Sequence, residues 1–150
     1  MRIVLQRVLR ACVRVNDEVV GEVGCGFLAL IGVDKEDTED CASVMAKKTA
    51  TIRVFQDTNG KLNRNILDIH GSVLVVSQFT LLADLTHGRR PSFYSAAPKE
   101  QARSLIAKYV AGLTSMGIFV EEGRFGESMK IELVNDGPVT IVLDSDYLER

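Results

Sequence analysis

The feature that most constrains the fold is a period-two alternation of apolar side chains over the first fifteen residues, MRIVLQRVLRACVRV. Ile3 and Leu5 share one face of an extended chain, and Val13 and Val15 share a face further along. Successive side chains of a strand point to opposite faces of a sheet, so this alternation predicts a β-strand. The polar turn at 16–18, followed by VVGEV, predicts an antiparallel partner.

Further strands are expected along the rest of the chain. FLALIGV at 27–33 is apolar on both faces and flanked by glycine, which favours a buried central strand over a short buried helix. Asn59-Gly60 is typical of a tight hairpin turn. SVLVVSQFTLLA at 72–83 predicts one long buried strand, and IFVEEGRF, MKIELVN and VTIVLD predict the last ones.

Two helices are expected to cover this sheet. Asp37 is predicted to cap a helix that runs to about residue 50. After Pro98, apolar residues recur at helical spacing until Gly117, which is expected to end the second helix. Together these elements predict a single α/β (α+β) domain, residues 1–150, with a mixed, largely antiparallel, barrel-like β-sheet covered by the two helices.

Residues 134–143, VNDGPVTIVL, interrupt a β-branched run with turn-forming residues. The sequence predicts a tight turn between two strands at this point. Proline lacks an N–H and fixes φ where strand pairing should resume, which is unusual for a hairpin. Turn formation alone therefore does not explain why Gly137-Pro138 stands at this point.

Composition limits the classes of partner. The net charge is −2 and the isoelectric point is about 5.7, whereas proteins that coat nucleic acid usually have a basic surface. Tryptophan is absent and aromatic residues make up 6%, so an extended base-stacking platform is not expected. A nucleic acid touched only at one end remains compatible with these values.

The sequence also predicts the cellular setting. The three cysteines have no C-x-x-C spacing and neither histidine lies near them, so no zinc site, disulfide framework or other metal cofactor is expected. Charges at Arg2, Arg7 and Arg10 interrupt the start of the chain, so no signal peptide is expected. No apolar run reaches the roughly 18 residues of a membrane span. The prediction is a cytoplasmic protein with no membrane contact.

The first candidate site lies in VLVVSQFTLL. Ser77, Gln78 and Thr80 interrupt an apolar run, and a buried polar group without a partner costs about 1–3 kcal/mol. They mark either a strand end with ordinary hydrogen bonds or a site where side chains meet the backbone N–H of Phe79. A catalytic triad with His87 is disfavoured because no G-x-S-x-G elbow is present.

Three other candidates each have an ordinary structural explanation. Arg89 and Arg90 form a compact cationic corner that could hold a phosphate or simply face solvent. Arg7, within a strand, either faces water or reaches a loop carbonyl. Met129 is suited to filling a gap in the core.

Six stretches resemble the D-aminoacyl-tRNA deacylases in order and spacing: MRIVLQRV, GKLNRNILD, VSQFTLLAD, GRRPSF, GRFGESM and VNDGPVTI. The most diagnostic are SQFTL at 77–81 and NDGPVT at 135–140. The resemblance implies hydrolysis of the ester that joins a D-amino acid to the 3′-terminal adenosine of tRNA, and also of glycyl-tRNA(Ala). It further implies a homodimer with active sites at the interface and no cofactor.

The resemblance also implies roles for individual residues. The acyl pocket would be lined by Ser77, Gln78, Phe79 and Thr80. Because an aminoacyl ester is activated and needs no triad, we expect Thr80 to position and donate rather than to act as a covalent nucleophile. Gly137-Pro138, joined by a cis peptide, would reach into the partner's pocket as a wedge that rejects L-aminoacyl-tRNA. Arg7 would hold that segment, and Met129 would line the site. Glu127 departs from the family pattern, which has alanine there.

Other interpretations remain open from the residues alone. The same pocket would serve a non-catalytic module that binds an RNA 3′-end or a nucleotide. A structural dimerisation domain would use the polar strand residues to seal an interface. A sister deacylase with relaxed chirality would share the motifs and hydrolyse L-substrates too.

Overall fold

The computed structural model describes residues 1–148. The elements in this part of the chain are β1 (Arg2–Val15), β2 (Glu18–Val23), β3 (Gly26–Gly32), α1 (Glu39–Thr51), β4 (Phe55–Gln56), β5 (Leu62–Arg64), β6 (Ser72–Ser77), a 3-10 helix (Phe79–Leu82), α2 (Lys99–Ser115), β7 (Phe119–Glu122), β8 (Lys130–Asp144) and a second 3-10 helix (Ser145–Tyr147).

The main sheet is organised around β1. β3 pairs antiparallel with its first half and β2 with its second half, along the same edge, while β8 pairs antiparallel with the other edge. β6 and β7 extend the sheet from β3 as parallel strands. The predicted mixed, largely antiparallel sheet is therefore confirmed. β4 and β5 form a separate hairpin around Asn59-Gly60, as predicted.

The sheet curls until its ends approach each other. A Cβ atom on Gly21 of β2 would lie 2.8 Å from the carbonyl oxygen of Glu122 on β7 and 3.2 Å from Leu74 of β6. Only a residue without a side chain allows this close approach. The barrel-like shape expected from the persistent alternation is confirmed.

The curl creates a hydrophobic core on each face of the sheet. Phe27, Ala29 and Ile31 of β3 face the helices, whereas Leu28 faces the inside of the curl. This explains why FLALIGV is apolar on both faces, and it confirms the strand interpretation.

The helices were predicted correctly, except for one cap. α1 is capped by Thr38, whose Oγ1 accepts a hydrogen bond from the N–H of Cys41 at 3.4 Å, and not by Asp37. The carboxylate of Asp37 instead accepts from the N–H of Asp34 at 2.7 Å and from the amino group of Met1. These partners precede Asp37 in the chain and hold it in the turn before the helix, so the N-cap of α1 is the next residue, Thr38.

The predicted strand 72–83 is wrong beyond Ser77. β6 ends there because its partner β3 ends at Gly32, and Phe79–Leu82 forms a 3-10 helix. Leu82 remains buried in this turn, so the apolar pattern continues although the strand does not. A short apolar run does not distinguish a strand from a helical turn.

The predicted hairpin turn at 134–143 is also wrong. β8 is one continuous strand, and β1 pairs with it on both sides of a bulge. Between the pairs Gln6–Thr140 and Val8–Asn135, β1 contributes only Arg7, whereas β8 contributes residues 136–139. The side-chain amide of Asn135 donates to the carbonyl oxygens of Arg7 at 2.9 Å and of Val139 at 3.0 Å, which closes the bulge.

A buried hydrogen bond links the two helices. The hydroxyl of Tyr109 donates to Oγ1 of Thr49 at 2.9 Å. The Thr49 hydroxyl in turn donates to the carbonyl oxygen of Met45 at 2.9 Å. Both side chains are completely buried, and burial raises the pKa of the Tyr109 phenol. Because Tyr109 is completely buried, bulk solvent does not reach its hydroxyl to replace Thr49.

We predict that Thr49→Val lowers the free energy of unfolding by about 1–3 kcal/mol, because it leaves the buried Tyr109 hydroxyl without an acceptor. Tyr109→Phe should cost less, about 1 kcal/mol, because Thr49 keeps its bond to Met45. Urea unfolding followed by circular dichroism measures both. Equal or greater stability of Thr49→Val relative to Tyr109→Phe would contradict this account.

Candidate functional site

A cavity of about 560 Å³ opens where β6 ends. Its walls come from the end of β6, the start of α2 and the turn at 123–129. Most of the lining is apolar, and the polar side chains on it are Ser77, Gln78, Lys99 and Glu127. An apolar cavity with a few convergent polar groups is typical of a small-ligand site.

The segment from Ser77 to Thr80 is fixed against β3. The N–H of Gln78 donates to the carbonyl oxygen of Ile31 at 2.7 Å, and the Gln78 side-chain amide donates to Oγ1 of Thr80. The Phe79 ring is 57% exposed and meets the Phe93 ring edge-on at 4.9 Å. Polar side chains are thus held in place at the mouth of the cavity.

Two backbone donors at this position have no partner within residues 1–148. They are the N–H groups of Phe79 and Thr80, at the start of the 3-10 helix. The first N–H groups of a helix point away from its own carbonyls, so they are available to an anionic oxygen. They lie in a short helix, whereas the sequence analysis placed them on a strand.

A second cluster forms around Arg7, which is only 5% exposed. Its Nη1 donates to the carbonyl oxygen of Val54 at 2.7 Å, and its Nε donates to that of Asp136 at 3.2 Å. The Asp136 carboxylate lies 3.3 Å from the same Nε. Arg7 therefore reaches loop carbonyls, one of the two predicted alternatives, and ties the β8 bulge to the segment before β4.

Gly137 and Pro138 occupy the outer part of this bulge. Both are exposed, and the peptide bond between them is cis. Gly137 has a φ of 119°, and a Cβ atom there would lie 2.9 Å from Nη2 of Arg7. Glycine is required here by both the backbone conformation and the neighbouring guanidinium.

The two clusters lie apart in one chain. Arg7 pairs with Phe27 and Ser77 pairs with Ile31, and those β3 residues are four apart, or about 13 Å at the usual rise of a strand. β1 and β6 are also separated by two strand spacings, about 10 Å.

Of the predicted site residues, Ser77, Gln78, Phe79 and Met129 line the cavity and Thr80 adjoins it. Arg7, Gly137 and Pro138 do not line it.

Sequence reasoning missed much of the cavity wall, including one charged and one aromatic residue. Lys99 starts α2, and Phe125 lies in the turn after β7. A lysine after Pro98 and an aromatic residue in a glycine-rich turn are common in any protein. Phe125 does lie in the GRFGESM stretch that resembles the deacylases, but no local pattern places it or Lys99 in a cavity wall, because only the tertiary fold brings them together.

The loop that carries Arg89 and Arg90 is closed by backbone hydrogen bonds between Asp84 and Ser92, at 2.8 and 2.9 Å. The Asp84 carboxylate accepts from the N–H and hydroxyl of Thr86, which lowers its pKa. Nδ1 of His87 lies 2.9 Å from the Thr86 hydroxyl, so this nitrogen contacts Thr86 rather than Ser77 or Thr80.

The described residues also bear on two other functions, metal binding and membrane insertion. No group of three or more His, Cys, Asp or Glu side chains comes together in residues 1–148 as a metal site would require. Neither α1 nor α2, nor any shorter helix in the same range, has the length and apolar character to cross a membrane.

A comparison with known protein families assigns the chain to one of them. A family model described as D-Tyr-tRNA(Tyr) deacylase matches residues 4–144. The chain belongs to the D-Tyr-tRNA(Tyr) deacylase family. The family resemblance inferred from the motifs is thereby confirmed, and family membership makes the protein a hydrolase of the deacylase type.

Individual relatives cover nearly the whole chain. A protein of Desulforudis audaxviator named D-aminoacyl-tRNA deacylase is 55% identical over 148 residues, with 99% of both chains covered. A solved structure named c-Myc DNA Unwinding Element Binding Protein is 37% identical with a TM-score of 0.90, covering 96% of this chain and 98% of that one. A second structure, described as a probable eukaryotic D-amino acid tRNA deacylase, has a TM-score of 0.81 at 16% identity, with 95% and 97% covered, and shows the deacylase fold alone.

We predict that Gly137→Ala lowers the free energy of unfolding by about 2–3 kcal/mol, because it combines a strained φ with a close contact to Arg7. Gly60→Ala is the matched control. Gly60 also has a positive φ, 75°, but no atom within 4 Å of the added Cβ, so a loss of only about 1 kcal/mol is expected. Urea unfolding of both variants measures the difference, and equal losses would mean that the Arg7 contact is unimportant.

Proposed function

We propose that this protein hydrolyses the ester bond between a D-amino acid and the 3′-terminal adenosine of tRNA, which makes it a D-aminoacyl-tRNA deacylase that recycles tRNA. The observation that carries this proposal is the end of β6, where Ser77–Thr80 bring polar groups and two unpartnered N–H donors to an apolar cavity. Relatives with this name support it.

Ester hydrolysis passes through a tetrahedral intermediate whose oxygen is negatively charged. The N–H groups of Phe79 and Thr80 are suited to stabilise that oxygen, because they are fixed donors that need not rearrange during the reaction. An aminoacyl ester is already activated, so water, or the neighbouring ribose 2′-hydroxyl assisting it, serves as the attacking group. Thr80, held by Gln78, positions the substrate and does not form a covalent intermediate.

Selection against L-aminoacyl-tRNA needs a rigid obstacle near Cα, since the two isomers exchange a hydrogen atom and a side chain there. The Gly137-Pro138 segment is an exposed backbone edge fixed by Arg7. It would exclude an L side chain and admit hydrogen. Glycine has no side chain to exclude, so glycyl-tRNA(Ala) would also be hydrolysed.

In this proposal the obstacle comes from a second copy of the chain. Gly137 and Ser77 are too far apart in one chain to contact the same substrate atom, so the proposed functional unit is a homodimer with active sites at the interface. Within residues 1–148, β8 pairs with β1 alone, which leaves its other edge open. Val134 and Val142 on β8 are exposed apolar residues that a second copy would cover.

The proposed location is the cytoplasm, where aminoacyl-tRNA is used. Cys12, Cys25 and Cys41 are all free thiols, as expected in a reducing compartment.

We predict that the protein hydrolyses D-Tyr-tRNA and glycyl-tRNA(Ala) and leaves L-Tyr-tRNA intact, as measured by loss of the labelled ester. Phe79→Pro should lower kcat for D-Tyr-tRNA by about 10²–10³-fold, because proline removes one oxyanion donor. Proline is tolerated in the first turn of a helix. The matched control Phe79→Ala also loses the ring but keeps the N–H, so its loss should be much smaller.

Three results would overturn parts of this proposal. Binding of tRNA without hydrolysis would favour the non-catalytic module, and hydrolysis of both isomers would favour the deacylase with relaxed chirality. An acyl-Thr80 adduct trapped by rapid quenching would assign Thr80 as a nucleophile.

A mixing experiment tests whether the site is shared between subunits. Phe79→Pro dimers should be nearly inactive alone because they lack an oxyanion donor. Gly137→Ala dimers should be nearly inactive too, because a side chain at residue 137 would block the approach of its carbonyl group to the D-substrate. After subunit exchange, each mixed dimer would contain one site with an intact Phe79 N–H and an intact Gly137, so about a quarter of wild-type activity should return. A site built within one chain would regain no activity on mixing.

A further inference from the structure

A row of cations lies along one rim of the cavity. Lys99 and Arg103 are exposed residues four positions apart on α2, so their side chains lie on the same face, on successive turns. Lys99 lines the cavity itself. The row therefore starts at the cavity and continues outward along α2.

The turn at 123–129 brings a third cation to this rim. The guanidinium of Arg103 lies 5.0 Å from the centre of the Phe125 ring, within the range of a cation–π contact, and Phe125 also lines the cavity. This contact holds Arg103 against the turn rather than free in solvent. Arg124, which is exposed, immediately precedes Phe125. We call Lys99, Arg103 and Arg124 the rim cations.

The rim cations lack ion-pair partners in the described part of the chain. None of the ion pairs found within residues 1–148 involves them, although Lys108, further along α2, pairs with Glu39 at 3.3 Å. Glu127 is the one acidic side chain on the cavity lining, and it forms no ion pair with Lys99. Three available positive charges at one rim are notable in a chain of net charge −2.

We propose that the rim cations bind the backbone phosphates of the single-stranded RNA end whose terminal nucleoside enters the cavity. This proposal rests on the deacylase function proposed above. Basic grooves that follow a single strand use this kind of charge, and they need no wide basic surface. Lys99 would contact the phosphate nearest the cavity, and Arg103 and Arg124 would contact those that precede it.

The rim cations differ from the other basic candidate in their position. Of the rim cations, Lys99 lines the cavity, and the other two contact or adjoin the lining residue Phe125. Arg89 and Arg90 lie on the exposed loop closed by Asp84 and Ser92, and neither lines the cavity. Because Lys99 lies on the cavity lining, a strand that leaves along α2 would meet Lys99 first. The rim should therefore contribute more to RNA binding than the Arg89-Arg90 corner.

Two substrates separate phosphate binding from chemistry. The triple variant Lys99→Gln, Arg103→Gln, Arg124→Gln should reduce kcat/KM for D-Tyr-tRNA about tenfold or more, with KM carrying the change. The ratio of kcat/KM for D-Tyr-tRNA to that for D-tyrosyl-adenosine, which has no phosphate, should fall about tenfold or more, since the oxyanion donors act equally on both substrates. For tRNA, the slope of log(kcat/KM) against log[salt] should become less negative by about 2. This is the change expected when three phosphate contacts, each contributing about 0.7 to the slope, are lost.

The matched control carries the same change in charge elsewhere. Lys47→Gln, Lys48→Gln, Lys108→Gln removes three positive charges from α1 and the far part of α2. It should leave both substrates and the salt dependence close to wild type. An equal loss in this control would mean that only net charge matters, and an equal loss on D-tyrosyl-adenosine would mean that the rim shapes the cavity. Either result overturns the proposal, as does a larger effect from Arg89→Gln with Arg90→Gln.

A direct binding measurement keeps this proposal distinct from the catalytic one. Fluorescence anisotropy with labelled, uncharged tRNA reports RNA binding even if no ester is hydrolysed. Weaker binding by the rim variant than by the control variant supports the rim, and equal binding overturns it. Failure of wild type to hydrolyse D-tyrosyl-adenosine and D-Tyr-tRNA would overturn the deacylase function alone.

Discussion

The structure depends on the pairing of β1 along both of its edges. β2 and β3 follow one another on one edge, and β8 covers the other from Arg2 to Arg14. Because β8 is paired before and after residues 136–139, those residues are held out of the ladder as a bulge of fixed shape. A loop of the same sequence at the end of a hairpin would be anchored on one side only. The double pairing thus makes an exposed backbone edge rigid.

The buried guanidinium of Arg7 adds a second constraint to this edge. Removing a charge from water is costly unless hydrogen bonds replace the lost hydration. Arg7 meets this requirement with the carbonyl oxygens of Val54 and Asp136 and with the Asp136 carboxylate. These partners belong to segments distant in sequence, so satisfying the charge also fixes the bulge relative to the β4–β5 hairpin. The protein therefore positions Gly137 through a group that must be satisfied for the chain to fold.

The sequence predicted correctly those elements whose residue pattern is local. It failed where pairing with a strand distant in sequence determines whether a segment is a strand, a turn or a bulge. The alternation in β1 and the continuous apolar run FLALIGV predicted strands correctly. Burial of one face of a strand leaves alternating apolar residues in the sequence, and burial of both faces leaves a continuous apolar run. The residues Asn-Asp-Gly-Pro have strong turn chemistry, yet pairing of both flanks with β1 converts the turn into a bulge. The end of β6 was missed for a similar reason, since it is set by the end of β3 at Gly32.

The candidate site divides in the same way. Ser77, Gln78 and Thr80 were found because polar residues stand out in an apolar run, and Gly137 because glycine before proline stands out in a strand. Lys99, Arg103 and Phe125 have no such contrast with their neighbours. They acquire meaning only when α2 and the turn at 123–129 meet beside the cavity. A net charge of −2 argued against wide contact with nucleic acid, but that sum contains no information about position. Three cations that form no ion pair within residues 1–148 are compatible with that sum, and they would suit an RNA that is recognised only at its end.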